Sequence, residues 1–457
     1  MSDTTRLAAF RALARVETDQ AHIDRALDAA LGSLKIANPR DRRFAAELVF
    51  GAVRYRRALD AIVAAATRRP AEEIDPPACA LLRLGLYQAL AMDRTPASAA
   101  VNESVEIAKR LSATRHLAGF VNGALRGALR LVAAKKLTGK PLHDIVRALA
   151  PKPRDEAEAL GLIHSFPDWL ARRWIKTFGR DTAERIMRDS NRRAPVFLRV
   201  NRLKPGAQDR LAKSDMELEP VPGEADFMLV RSQAPAPGAR IIDMGFAQPQ
   251  DLASHRAASL LAPPPGAWVA DVCCGRGVKT GQFAAAMNNR GRILCLDRGM
   301  PALEELSANM ERLGVAIHLP ARADAAQPWP TRRRFDFIFL DAPCSGTGVL
   351  RRKPEGKWNR GESLVMDMAR VQQRSLDQAA LALAPGGRLV YAVCSIEPEE
   401  GVEQIESLLA RNPALRRVPL RQARPALAPF ESAQGDFFTL PGQEGMDGFF
   451  ASVLTRK

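Results

Sequence analysis

Residues 268–297 read WVADVCCGRGVKTGQFAAAMNNRGRILCLD. An apolar run from Trp268 to Val272 meets a turn that carries Gly275 and Gly277. A stretch with apolar residues at helical spacing follows, Lys279 to Met287, and a second apolar run, Arg292 to Leu296, closes at Asp297. Strand, glycine turn, helix and strand form the unit of a parallel sheet with helices on both faces, and such sheets bind ligands at the carboxyl ends of their strands. The alternation continues downstream. It predicts strands at Val315 to Leu319, Phe335 to Leu340 and Arg388 to Val393, and helices at Ala302 to Leu313, Leu364 to Leu383 and Glu400 to Leu409. Residues 246–457 are therefore read as a C-terminal α/β domain of Rossmann-like type.

Upstream the pattern differs. From Arg6 to about Leu131 the chain is rich in Ala, Leu and Arg, with apolar residues such as Leu81, Leu82, Leu84, Leu86 and Leu90 at helical spacing, which predicts an all-α domain over 1–137. A basic run from Lys135 to Lys152 suggests a linker at 138–154. Residues 155–245 read as a small α+β domain, with a helix opening at Pro167-Asp168-Trp169 and strands at Pro195 to Val200 and Phe227 to Val230. A multidomain chain is what 457 residues imply.

The balance of 67 Lys and Arg against 51 Asp and Glu leaves +16. Residues 1–150 hold 24 basic and 15 acidic side chains, a net of +9. Such a balance favours a polyanionic partner, although a dispersed basic surface gives the same sum. The uncharged stretch Ala257 to Ala270 is 14 residues long and contains three prolines, so no membrane span is expected. Arg6, Arg11 and Arg15 interrupt the N-terminus, which excludes a secretory signal and points to the cytoplasm. Six cysteines are too few for a disulfide framework and lack the spacing of a zinc site, so no metal is expected.

The chemistry gathers at strand ends. The glycine turn 273–279 lets a ligand approach the backbone closely, but a dinucleotide site is disfavoured because position 280 is Thr280. Asp297 is placed to accept from a ribose hydroxyl, or to cap the next helix. Asp324 reads either as a ligand contact or as a solvated loop residue. The segment 335–348, FDFIFLDAPCSGTG, delivers Asp341 and Cys344 to the end of a buried strand, and Cys394 closes the strand that begins at Arg388. A lone cysteine at such a place is usually core filler. Two, each followed by serine and leaving strands of one sheet, predict a carboxylate and two thiols that converge.

These segments carry a resemblance. DAPCSGTGVLRRKPEGKW (341–358), LVYAVCSIEPEE (389–400) and GMDGFF (445–450) are similar to the signatures of the NOL1/NOP2/Sun family of RNA cytosine carbon-5 methyltransferases, whose cofactor is S-adenosyl-L-methionine and whose catalytic domain has the class I methyltransferase fold. DRRFAAELVFGAVRYRRALD (41–60), LLRLGLYQAL (81–90), AAVNESVEIAKR (99–110) and AGFVNGALR (118–126) resemble the RNA-binding domain of the antitermination factor NusB. The fusion resembles the bacterial 16S ribosomal RNA methyltransferase B group, with Phe197 to Asn201 matching that group's small intermediate domain.

The resemblance implies roles. Cys273, Cys274, Gly275, Arg276, Gly277, Val278 and Lys279 correspond to the cofactor loop, usually Cys-Ala-Ala-Pro-Gly-Gly-Lys, from which this chain departs at Cys274, Gly275, Arg276 and Val278. Asp297, Asp324 and Asp341 correspond to contacts with ribose, adenine edge and reacting centre. Cys394 corresponds to the nucleophile and Cys344 to the cysteine of product release. Attack of a thiolate on carbon 6 makes carbon 5 nucleophilic, with Asp341 as a protonated carboxyl or hydrogen-bonding partner at ring nitrogen 3. The implied partner is 16S rRNA or a small-subunit precursor. Arg332-Arg333-Arg334 and Arg351-Arg352-Lys353 read as phosphate contacts or solvated loop charge, the second triplet also as a neighbour that favours thiolate formation. Trp358 reads as a base-stacking platform or as core. The competing readings are an antitermination-like RNA-binding factor with a cofactor-deficient domain, and an enzyme acting on another RNA such as tRNA.

Overall fold

The computed structural model describes residues 3–92, 95–111, 113–231 and 237–457. The chain divides into two compact units: one runs to Arg192 and also takes Leu350–Gly361, and the other holds Arg193–Val349 and Glu362–Lys457.

The first unit is helical. Asn38 accepts from the Arg40 N–H and Pro39 occupies the first turn, so the helix Pro39–Arg54 begins where the Asn-Pro pair stands. The helix Pro76–Ala91 lies at the centre, apolar on nearly every side. Its buried cation, Arg83, is held by Asp60 and Glu17, each at 2.7 Å, as a buried charge requires. Residues 115–134 are long and apolar enough to match a membrane span by composition, contrary to the expectation that no segment is. In this fold Val121, Leu125, Ala128 and Val132 of that stretch are buried in the helical core. The stretch 138–154, expected as a linker, contains the helix Leu142–Leu149, whose Ile145 and Val146 enter the same core. Two apolar neighbours one turn after Leu142 outweigh the basic residues around them. The helices Glu156–His164, Asp168–Phe178 and Arg180–Ser190 also belong to this unit, with Phe166 and Trp174 fully buried.

Leu350–Gly361 is packed into the first unit by polar contacts. The Lys357 side chain is completely buried, and its Nζ donates to the carbonyls of Arg54 (3.0 Å) and Ser165 (3.2 Å) and to Asn191 Oδ1 (2.6 Å). Trp358 Nε1 donates to Val53 O at 2.7 Å and Arg56 lies over its ring, so this side chain is packed rather than presented as a stacking platform. Arg351 is buried too, which removes it from the expected phosphate contacts.

The second unit contains two sheets. β1 (Val196–Val200), β2 (Leu218–Pro220), β3 (Phe227–Val230) and β4 (Ala247–Pro249) form an antiparallel sheet in the order β2-β3-β1-β4. The larger sheet takes β5 (Trp268–Val272), β6 (Arg292–Asp297), β7 (His318–Arg322), β8 (Phe335–Asp341), β9 (Leu383–Val393), β10 (Leu415–Val418), β11 (Phe437–Thr439) and β12 (Phe449–Arg456). Its order is β10-β12-β9-β8-β5-β6-β7 with β11 beside β12. β5 to β9 are parallel, whereas β12 runs antiparallel to β9, and β10 and β11 each pair antiparallel with β12, which makes the sheet mixed rather than wholly parallel. The third parallel strand begins three residues after the expected Val315. Val315 and Ile317 are buried before the strand starts, and Pro320 sits in β7 because an edge strand tolerates a missing donor.

Candidate active site

β5 ends in a turn built for close approach. Cys273 (φ +59°), Gly275 (φ +53°) and Gly277 (φ +77°) are all left-handed. A Cβ at Gly277 would stand 2.8 Å from Met310, whereas one at Gly275 would meet nothing within 4 Å, so the backbone there faces open space. Asp297 at the end of β6 holds this turn: Oδ2 accepts from Gly275 N at 3.0 Å, while Oδ1 accepts from Gly299 N at 2.9 Å. Asp324 Oδ1 accepts from Ala326 N at 2.9 Å. Asp271 within β5 is fully buried, with Thr280 donating to Oδ2 at 2.5 Å and no partner for Oδ1. Burial pushes its carboxyl up to about 7.

The rest of the loop divides by direction. Cys274 is buried, and its thiol is pushed up by a hydrogen bond with Cys295 and by burial; Cys273 is also pushed up, by burial first. Arg276 is exposed and paired with Glu305. Val278 opens the helix Val278–Ala286 in a half-buried position. Lys279, one residue on, is directed to the reacting end: its Nζ donates to Asp341 Oδ2 at 2.6 Å and lies 5.9 Å from the ring centres of both Phe339 and Phe449. Burial opposes the Lys279 charge, but the Asp341 carboxylate more than offsets it and raises the ammonium above its ordinary value.

β8 and β9 are parallel neighbours with Asp341 opposite Ala392, so the segments that leave them start side by side. This brings Cys344 Sγ to 3.3 Å from Cys394 Sγ. Both thiols are half-buried. The Cys344 thiol is held well above its ordinary value, first by its hydrogen bond with Cys394 and then by burial, and either sulfur of the pair could be the donor. The two sulfurs and the Asp341 carboxylate expected to converge do so at neighbouring strand ends. Arg332 to Arg334 are exposed, with the Arg333 guanidinium 3.8 Å from the centre of the Trp268 ring.

Three residues that the sequence reading did not single out complete the arrangement. Ser345 and Ser395, each directly after a cysteine, both donate to Glu400 Oε2. The repeated Cys-Ser pair was the visible signal for them, whereas Glu400 had none beyond its place in the 389–400 segment. Gly348 and Gly448 meet back to back, with Gly448 N donating to Gly348 O at 2.9 Å, which explains the second glycine of GMDGFF.

Comparison with known proteins places the chain in a family. The 16S rRNA methyltransferase RsmB/F profile matches residues 258–455, the NusB family profile residues 3–130, and a ferredoxin-like domain of RsmF/B-like methyltransferases residues 166–233. The chain is similar to the probable ribosomal RNA small subunit methyltransferase B of Synechocystis, 31% identical over 99% of both chains. It is also similar to the probable enzyme of that name from Bacillus subtilis, 30% identical over 98% of both. Among solved structures, the protein PH0851 shares the fold (TM-score 0.82, 22% identity, 100% of this chain and 99% of that one). A methyltransferase homologue from Pyrococcus horikoshii aligns at TM-score 0.57 and 27% identity over 65% of this chain and 98% of its own. With full-length likeness to named methyltransferases and all three domain profiles in order, the chain belongs to the 16S rRNA methyltransferase RsmB/F family.

Proposed function

We propose that this methyltransferase transfers the methyl group of S-adenosyl-L-methionine to carbon 5 of a cytosine in 16S rRNA, with Cys394 as nucleophile. The observation that carries the reading is the 3.3 Å approach of Cys344 and Cys394 sulfurs at the ends of adjacent strands, beside Asp341. Paired thiols have no role in hydride transfer or in simple RNA binding, but they have one where a base must first be made nucleophilic.

The residues present fit an adenosine-bearing donor. Gly275 exposes backbone to open space, and Asp297 stands at the end of β6, where such folds meet a ribose. When bound, the cofactor supplies an electrophilic methyl on a sulfonium. Asp297 and Asp324 would hold its ribose and adenine edge, and residues 273–279 would line it.

The chain's own residues do the rest. In this reading Cys344 is the donor of the pair, and its S–H supports the Cys394 thiolate. That thiolate bonds to carbon 6, and the displaced ring electrons make carbon 5 the nucleophile that takes the methyl group. Lys279 orients Asp341, whose carboxyl group in its protonated form donates to ring nitrogen 3 and stabilises the developing negative charge. Loss of the carbon-5 proton to a base returns the electron pair, and the Cys394–carbon 6 bond breaks, with the Cys344 proton available to the departing sulfur. A base paired within a helix cannot reach these atoms, so the target cytosine is unstacked or in a loop.

The test is transfer of radiolabelled methyl from S-adenosyl-L-methionine to unmodified 16S rRNA, with bisulfite mapping of the product. We expect 5-methylcytosine and a covalent complex with 5-fluorocytosine RNA. No transfer and no adduct would overturn the proposal, and calorimetry showing no heat with the cofactor would favour an RNA-binding role instead.

A further inference from the structure

Glu400 sits where an apolar side chain would be cheaper. It is 0% exposed, and its two oxygens receive four donors: Ser345 N (2.7 Å) and Gln372 Nε2 (3.0 Å) on Oε1, with the hydroxyls of Ser345 and Ser395 (the latter at 2.5 Å) on Oε2. Four donors match the acceptor sites of an ionised carboxylate. Its surroundings are pinned as well. Gln372 also donates to Pro343 O at 2.8 Å, Tyr391 O–H donates to the Glu400 carbonyl at 2.6 Å, and Thr347 and Ser395 hydroxyls lie 3.1 Å apart. Burial pushes the carboxyl up while the serine and glutamine donors pull it back, so the site keeps a costly group in a dry place.

Cohesion alone does not require this. The segments carrying the thiols are 50 residues apart in sequence, and Glu400 reaches the residue after each thiol with a single oxygen. We propose that Glu400 is a positioning residue which, through Ser345 and Ser395, sets the separation of Cys344 and Cys394 so that the Cys344 S–H is aimed at the Cys394 sulfur. The inference rests on the assignment of these two thiols made above and extends it to the group that aligns them.

Charge and alignment act with opposite sign, which makes the inference testable. A buried anion near the thiols disfavours a second anion, and Glu400 acts on Cys344 in that direction. If charge were its only influence, removing it would make the Cys394 thiolate easier to form. If Glu400 aligns the pair, removing it costs Cys394 its S–H donor and makes the thiolate harder to form. Lys279, from the helix after β5 and paired with Asp341 at the end of β8, faces Cys394, and Tyr391 in β9 faces Cys344; all of these remain in the comparison.

The experiment measures iodoacetamide alkylation of Cys394 against pH in the full chain, read by peptide mass spectrometry. We expect Glu400→Gln to raise the midpoint by about one pH unit, the size of one lost charge-assisted hydrogen bond. Turnover should fall roughly 10- to 100-fold while KM for RNA changes little. In a Cys344→Ala background the same substitution should no longer raise the midpoint, because there is no S–H left to align. Ser345→Ala removes one arm of the clamp and should give a smaller shift of the same sign, which provides a second route if Glu400→Gln unfolds. A midpoint that falls or stays in Glu400→Gln, or an equal rise without Cys344, overturns the proposal. Alkylation needs neither RNA nor methyl donor, so its failure leaves the methyl-transfer reading standing, and absent methyl transfer in the wild type strikes that reading alone.

Discussion

At the residue scale the proposed roles of the two sulfurs, 3.3 Å apart, can be separated by substitution. Cys394→Ala is expected to abolish methyl transfer and the fluorocytosine adduct together, since no other thiol stands at that position. Cys344→Ala removes the proton donor instead, so a protein–RNA complex resistant to denaturing gel electrophoresis should accumulate on ordinary RNA. Transfer that persists in the first variant, or clean inactivity without trapped complex in the second, would reverse the assignment. Asp271 offers a stability test. Burial sets its folded pKa at about 7, well above the roughly 3.9 of an exposed aspartate. Between those values the folded protein keeps a proton that the unfolded chain has released, so this group's contribution is full below the lower value and is lost as pH rises through the upper one. Melting temperatures of Asp271→Asn should therefore fall less than wild type between pH 5 and 8. Parallel pH profiles for the two proteins would show that the buried carboxyl is not the source.

At the element scale the site depends on two segments meeting without side chains. A Cβ on Gly348 would lie 2.0 Å from the Gly448 carbonyl oxygen, and one on Gly448 would lie 2.6 Å from Ile396. Backbone, not a flexible side-chain tip, is the obstacle at Gly348. Gly348→Ala should destabilise the second unit by roughly 3 kcal/mol and displace the segment that carries Cys344, as measured by urea denaturation and by loss of adduct formation. Wild-type stability in that variant would mean that the segment relaxes freely. The same scale shows where reading by pattern fell short. β12 runs against β9, and β10 and β11 pair antiparallel with β12; none of these three strands was expected from the sequence, because their place is set by long-range pairing rather than by the βα alternation. β7 slid because apolar Val315 and Ile317 mimic a strand while packing just ahead of one.

At the scale of the whole molecule, a segment that follows the Cys344 loop in sequence folds with the helical unit. Lys357 anchors it there through three acceptors, and burial holds its ammonium well below the ordinary lysine value. Lys357→Met keeps the length but orphans two carbonyls and an amide oxygen, at about 3 kcal/mol or more in total. Limited proteolysis should then cut within 350–361 far faster than in wild type, and equal resistance would show that Trp358 and its neighbours suffice.

What the residue order alone determined was local and periodic: where β5, β6, β8 and β9 lie with helices between them, that a glycine turn follows β5, and that Asp341, Cys344 and Cys394 end up at strand termini. Those features follow from hydrophobic period and from short-range backbone chemistry, which a linear text contains. The tertiary structure alone decided that the sulfurs stand 3.3 Å apart, that Glu400 grips the serine after each, that Lys279 turns to Asp341, and that Lys357 and Trp358 are packed rather than presented to a ligand. Each of these is a contact between groups distant in sequence, where burial and hydrogen bonding select one side chain among many chemically equal candidates, and no period in the chain records that choice.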